Sequence, residues 1–227
     1  MSVIDAFFPP ICVGCRYVGS YLCPNCSNTL TAATQDRCLV CNLGSDGTTH
    51  AVCRTGCSVD LTMSIYKYRG AIRQIIKLCK YQLTTQVWEK TKHLMNPAAF
   101  YKLAAISRGY PTGILVPIPL HPARLRERGF NQSILIARFF SQLLKMPIEE
   151  PLMRRKNTLS QASINEYGKR QENMKGSFVV KDEHVIANRS FILVDDVITS
   201  GSTMCAAAYA LKSKGAAQIV ALSLARG

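Results

Sequence analysis

Lysine and glutamate are absent from the first 60 residues, where three arginines face four aspartates and the net charge is −1. That stretch is a poor match for a polyanion. Nowhere does the chain carry a run near the ~18 apolar residues that a spanning helix needs, so no membrane span is expected. The opening MSVIDAFFPPI has Asp5, no basic run, and an apolar stretch broken by Pro9 and Pro10. It does not read as a secretory leader, and the expectation is a cytoplasmic protein. Neither GxxxxGK[ST] nor GxGxxG occurs, which removes the P-loop and dinucleotide readings. No Ser-His-Asp order is evident either.

The remaining residues hold 25 basic and 10 acidic side chains, a net charge of +15. A polyanion should therefore meet this part first. Of ten cysteines, eight fall in the first 57 residues, as Cys12-x2-Cys15, Cys23-x2-Cys26, Cys38-x2-Cys41 and Cys53-x3-Cys57. A reducing compartment disfavours disulfides, and paired spacing favours metal thiolates. Sequential quartets would give two closed tetrahedral zinc sites of structural type. Interleaved pairing and iron–sulfur ligation remain open. Each filled four-cysteine site would add about −2 to a module that is already acidic. The isolated Cys79 and Cys205 sit in apolar helical contexts and read as core.

Two domains are expected, a Cys-rich zinc-binding module over 1–60 and an α/β domain over 61–227. A strand is expected over Thr62–Tyr68, then a basic amphipathic helix from Ala71 to Leu83. Arg69, Arg73, Lys77 and Lys80 share one of its faces. Further helices are expected over Thr85–Met95, Ala98–Ser107 and Asn131–Lys145. Strands are expected at Ile114–Val116, Ser177–Val180, Ser190–Val194 and Gln218–Leu224, with a helix over Ser202–Gly215. Pro117, Pro119 and Pro122 imply a stiff loop, and residues 153–176 a long loop or hairpin. Strands alternating with helices imply a mostly parallel sheet covered on both sides.

Phe191 to Thr203 reads FILVDDVITSGST. An apolar strand would hold Asp195 and Asp196 at the carboxyl edge of the sheet, where such folds bind ligands. Val197 and Ile198 lead into Thr199, Ser200, Gly201, Ser202 and Thr203. That loop would present amides and hydroxyls beside a helix N-terminus, which suits a phosphate dianion. The acids can accept hydrogen bonds from vicinal sugar hydroxyls or stand near magnesium.

This segment resembles the ribose-5-phosphate signature of type I phosphoribosyltransferases. The resemblance implies that fold, with Asp195 and Asp196 on the ribose 2′ and 3′ hydroxyls and Thr199 to Thr203 on the 5′-phosphate of phosphoribosyl pyrophosphate. It also places the pyrophosphate loop at Ile118, Pro119, Leu120, His121 and Pro122, with Arg124, Arg126 and Arg128 beyond. A flexible hood is implied from Arg154, Arg155 and Lys156 to Lys169 and Arg170, with Gln161, Arg170 and Asn173 as candidates. No C-terminal base hood is expected after the last strand.

The cysteine pairs, YKYRG at 66–70, KLCKY at 77–81, VPIPLHPARLRERGFNQS at 116–133, RRKNTLSQ at 154–161 and the final ALSLARG together resemble the ComF family of competence proteins. That family is described as handling incoming single-stranded DNA in natural transformation, beside a helicase-like ATPase, at the inner face of the membrane. Arg69, Arg73, Lys77, Lys80, Arg154, Arg155 and Lys156 are the expected DNA contacts, with Tyr66, Tyr68, Tyr81 and Phe130 for stacking. The other expectation is an active transferase acting on an unidentified base or amine. A ligand sensor without chemistry is a third. The motif RGFNQ, Arg128 to Gln132, is distinctive, but its chemistry is not set by the sequence.

Overall fold

The computed structural model describes residues 9–33, 37–55, 58–81, 95–155 and 176–227, with backbone alone for 80 and 81. Its strands are β1 (Leu61–Lys67), β2 (Ile114–Pro117), β3 (Leu152–Arg154), β4 (Phe178–Val180), β5 (Ser190–Ile198) and β6 (Gln218–Arg226). Its helices are α1 (Pro24–Asn28), α2 (Gly70–Tyr81), α3 (Pro97–Gly109), α4 (Pro122–Arg128), α5 (Gln132–Leu144) and α6 (Ser202–Lys212).

Among the described residues, four strands form a parallel sheet in the order β1-β6-β5-β2. Unbroken apolar runs such as Ile114–Val116 and Phe191–Val194 suit strands covered on both faces. Leu115, Ile192, Val194, Val220 and Leu222 enter one core, with Ile72, Ile75 and Ile76 of α2, Leu103 and Ile106 of α3, and Ile136 and Phe140 of α5. Ile114, Val116, Phe191, Leu193, Ile219 and Ala221 enter the other, under α6. The run Ala206-Ala207-Ala208 in α6 is buried, and its small side chains let the helix lie close to the sheet. Among the described residues no helix is long and apolar enough to cross a membrane.

The Cys-rich segment straddles the outer edge of β1. Ala33 N–H donates to Ile65 O, Lys67 N–H to Thr31 O, and Thr62 N–H to Gly47 O. These bonds cover an edge that would otherwise offer unpaired backbone groups. Leu22 and Leu30 join the first core, whereas Leu39 and Val59 join the second.

Two local expectations differ, and a third is met in its hairpin form. The proline-rich loop after β2 turns into α4 because His121 caps it, Nδ1 accepting from Ala123 N–H at 3.2 Å, and Pro122 opens the first turn. Strand β5 continues through both acids to Ile198, because β6 continues beside it and pairs Asp195 with Ser223 and Val197 with Ala225. The stretch from 153 opens as a β3–β4 antiparallel pair. Residues 156–175 lie outside the described residues, as does the helix expected over Thr85–Met95 except Met95 itself.

Candidate functional site

β5 carries the paired acids to the carboxyl edge of the sheet. Asp195 Oδ1 accepts two hydrogen bonds at 2.9 Å, one from Ser133 Oγ at the start of α5 and one from Asp196 N–H. Asp196 is buried, and its charge reaches Cys79 on α2. Burial first, and then that charge, push the Cys79 thiol up to about 12. Cys205 is likewise pushed up to about 12 by burial, with a smaller push from Cys38. Both thiols are core groups, as expected.

Past Val197 and Ile198 the chain leaves the sheet at Thr199 and Ser200, both exposed. Gly201 takes φ 77° and opens α6 with no side chain to cap it, while the Ser200 and Ser202 hydroxyls stand 3.1 Å apart. Thr203 follows in the first turn. The turn thus offers hydroxyls and helix-start amides to an anion. A Cβ on Gly201 would stand 2.6 Å from Leu39 Cδ2, so the Cys-rich segment packs directly beneath this turn.

Opposite it, Ile118 N–H donates to Val194 O at 2.9 Å, and Asn131 Nδ2 donates to Ile118 O at 3.0 Å. Pro119, Leu120 and His121 are half-buried, and the His121 ring acts as a helix cap. Arg154, expected both in the hood and among the DNA contacts, lies within the electrostatic reach of Asp195 and Arg124. Burial first, then repulsion from Arg124, lower its guanidinium, against attraction to Asp195. Arg128 is half-buried in the last turn of α4. Lys156, Gln161, Arg170 and Asn173 lie outside the described residues.

Two side-chain clusters could hold metal: Cys12, Cys15, Cys23 and Cys26, and Cys38, Cys41, His50 and Cys53, with all ligand atoms of each within 4.8 Å of one another. Cys15 and Cys23 sulfurs are 3.6 Å apart. That is too long for a disulfide and close to the ~3.8 Å edge of a zinc–thiolate tetrahedron. Burial opposes the Cys12 thiolate, but N–H groups of Cys15, Cys23 and Gly14 bring it down to about 6. Cys38 comes down to about 7, against burial, through N–H groups of Cys41, His50 and Val40. The Cys15 side chain and burial push Cys26 up to about 12, and burial and the Cys41 side chain push Cys53 up to about 11. The ligand atoms of the described cysteines group sequentially, not interleaved, and a cation held among them would relieve the mutual obstruction of their ionisation.

His50 is the candidate ligand that cysteine spacing did not reveal. Its Nδ1 stands 3.2 Å from Cys41 Sγ, and its Nε2 stands 3.2 Å from Gly44 O. Donation from Nε2–H to that carbonyl leaves the Nδ1 lone pair for the cluster. The signal was present as His-x2-Cys at 50–53. Cys57, expected in this set, lies outside the described residues.

Arg69, Arg73 and Lys77 are exposed along α2 and the residue before it, and the Lys80 side chain lies outside the described residues. Arg69 Nη2 donates to Thr31 Oγ1 at 2.9 Å, and Arg73 lies 6.0 Å from the Tyr68 ring centroid. Tyr66 is not a stacking platform. It is fully buried, its hydroxyl accepts from Asn96 N–H at 3.4 Å, and burial pushes it up to about 12. Phe130 is half-buried, Arg155 is exposed, and the Tyr81 side chain lies outside the described residues.

The phosphoribosyl transferase domain family matches residues 134–227. The chain is 29% identical to competence protein ComFC of Bacillus subtilis over 90% of its own length and 84% of the relative. It is 30% identical to DNA utilization protein YhgH of Salmonella typhi over 72% of its length and 71% of the relative. Competence protein F of Haemophilus influenzae is 33% identical over 49% of each chain.

Proposed function

Because the chain belongs to the ComF family of phosphoribosyltransferase-like proteins, we propose that it binds phosphoribosyl pyrophosphate with magnesium and handles single-stranded DNA during uptake. The observation that carries the ligand half is Asp195, oriented by Ser133 at the sheet edge, beside the Gly201 turn that opens α6. Asp195 and Asp196 accept the ribose hydroxyls, and Thr199 to Thr203 hold the 5′-phosphate. Magnesium bound with the pyrophosphate would neutralise its charge near the acids. The names of the relatives and the exposed Arg69, Arg73 and Lys77 support the DNA half. Two structural zinc ions are proposed to fasten the Cys-rich segment, one on the four-cysteine set and one on the set that includes His50.

Phosphoribosyl transfer is the second reading, favoured by Arg124 and Arg154, cations whose charges interact near Asp195 and could stabilise a leaving pyrophosphate. Pyrophosphate release across candidate bases and amines tests it. The binding proposal is tested by thermal melting. Phosphoribosyl pyrophosphate with magnesium should raise the melting temperature of the wild type, because a ligand of the native state stabilises it. Asp195→Ala/Asp196→Ala should show no such rise, and an equal rise would refute the assignment.

A further inference from the structure

We propose that Asn131 and Ser133 are positioning residues that lock the pyrophosphate turn and the ribose acid into one geometry. The inference rests on the ribose reading above and deepens it. Residues 118, 131, 133 and 194–195 form a closed circuit of hydrogen bonds. Val194 O accepts from Ile118 N–H at 2.9 Å. Ile118 O accepts from Asn131 Nδ2 at 3.0 Å. Asn131 Oδ1 accepts from Ser133 N–H at 3.1 Å, and Ser133 Oγ donates to Asp195 Oδ1 at 2.9 Å. Asp195 follows Val194 in the chain, which closes the ring.

Each member has a chemical reason to be what it is. The Asn131 side chain must donate to a carbonyl and accept from an amide at once, which a side-chain amide does through two separate atoms and a carboxylate cannot do. It is 8% exposed, and Ser133 is 4% exposed, so the bonds are sheltered from water. The Ser133 bond ends on a carboxylate and is of the stronger, charge-assisted kind. In the proposed ligand the scissile C1–O bond lies between the ribose hydroxyls and the pyrophosphate. The two protein parts that hold those groups lie on different strands, β5 and the end of β2. The Asn131–Ser133 corner joins them, which gives the FNQS part of the motif a task that the sequence left unset.

The test measures affinity for three probes: phosphoribosyl pyrophosphate with magnesium, ribose 5-phosphate, and inorganic pyrophosphate. Ser133→Ala should weaken both ribose-bearing probes about tenfold, the scale of one charge-assisted bond, and leave pyrophosphate unchanged. Asn131→Ser keeps a cap for α5 but is too short to hold Ile118. It should weaken phosphoribosyl pyrophosphate and pyrophosphate while sparing ribose 5-phosphate. Wild-type affinities in both variants would overturn the proposal, as would equal loss on all three probes, the mark of general destabilisation. Should Asn131→Ser fail to fold, Ser133→Ala alone decides. Asp195→Ala/Asp196→Ala separates the levels. If that variant binds like wild type, the ribose reading itself falls. If it loses binding while Ser133→Ala does not, only the positioning role falls.

Discussion

At Gly201 the backbone takes φ 77°, and Leu39 occupies the volume a Cβ would need. Both facts penalise any side chain, the first through left-handed strain and the second through overpacking. Gly201→Ala should therefore cost about 1–3 kcal/mol, read as a lower urea midpoint at unchanged slope. Combined with Leu39→Ala, which has its own cavity cost, the loss should be smaller than the sum of the two single losses, since the second change relieves the crowding but not the φ. An additive loss would contradict the packing assignment. The two surprises in single residues have equally local causes. His50 was hidden by a cysteine, Cys57, whose spacing fits a four-cysteine set. Tyr66 lies beside Lys67 and Arg69 and so reads as part of a basic surface. Its own position in β1 falls in the buried run from Ser64 to Tyr66.

The two Cys-rich clusters serve different faces of the sheet. The first leans on α2, where a Cβ on Gly14 would stand 3.9 Å from Ala71 Cβ and Thr31 holds Arg69. The second sets Leu39 beneath the Gly201 turn and Asn42 Oδ1 3.2 Å from Arg226 Nη2. Cys41→Ser should thus weaken phosphoribosyl pyrophosphate severalfold with little effect on DNA, and Cys15→Ser should do the reverse. Titrations with both ligands check this, and equal effects from both variants would contradict the division. Most elements were legible in the sequence. Apolar strand runs, the α2 stripe and the Asn131-to-Lys145 helix depend on local pattern, and each appears within a few residues of its expected bounds. Helix α4 was not legible, because its start depends on a histidine acting as a cap. Nor was the length of β5, which depends on a partner strand remote in the chain. The paired acids and the glycine turn were legible as a local motif. The Ser133 and Leu39 contributions arrive through tertiary contact and left no local trace, whereas Arg154 was legible as a hood residue.

Over the whole molecule, charge is divided between an acidic Cys-rich segment and a remainder of +15. A set of Cys38, Cys41, His50 and Cys53 would carry one thiolate fewer than a four-cysteine set, which makes the acidic side less extreme without reversing it. Single-stranded DNA should bind the basic part with strong salt dependence. The triple variant Arg69→Ala, Arg73→Ala, Lys77→Ala should lower the slope of log affinity against log salt by about 2, at roughly 0.7 per phosphate contact. An unchanged slope would place DNA elsewhere. The proposed phosphoribosyl ligand would engage the sheet edge that carries Asp195, the Gly201 turn and the Ile118 turn. Calorimetric titration of phosphoribosyl pyrophosphate with magnesium tests that placement most directly. Wild type should give a saturable isotherm with one site per chain, and Asp195→Ala/Asp196→Ala should reduce affinity by about a hundredfold, as expected for two lost bonds to charged groups. An unchanged Kd in that variant would contradict the assignment of the ribose to these acids.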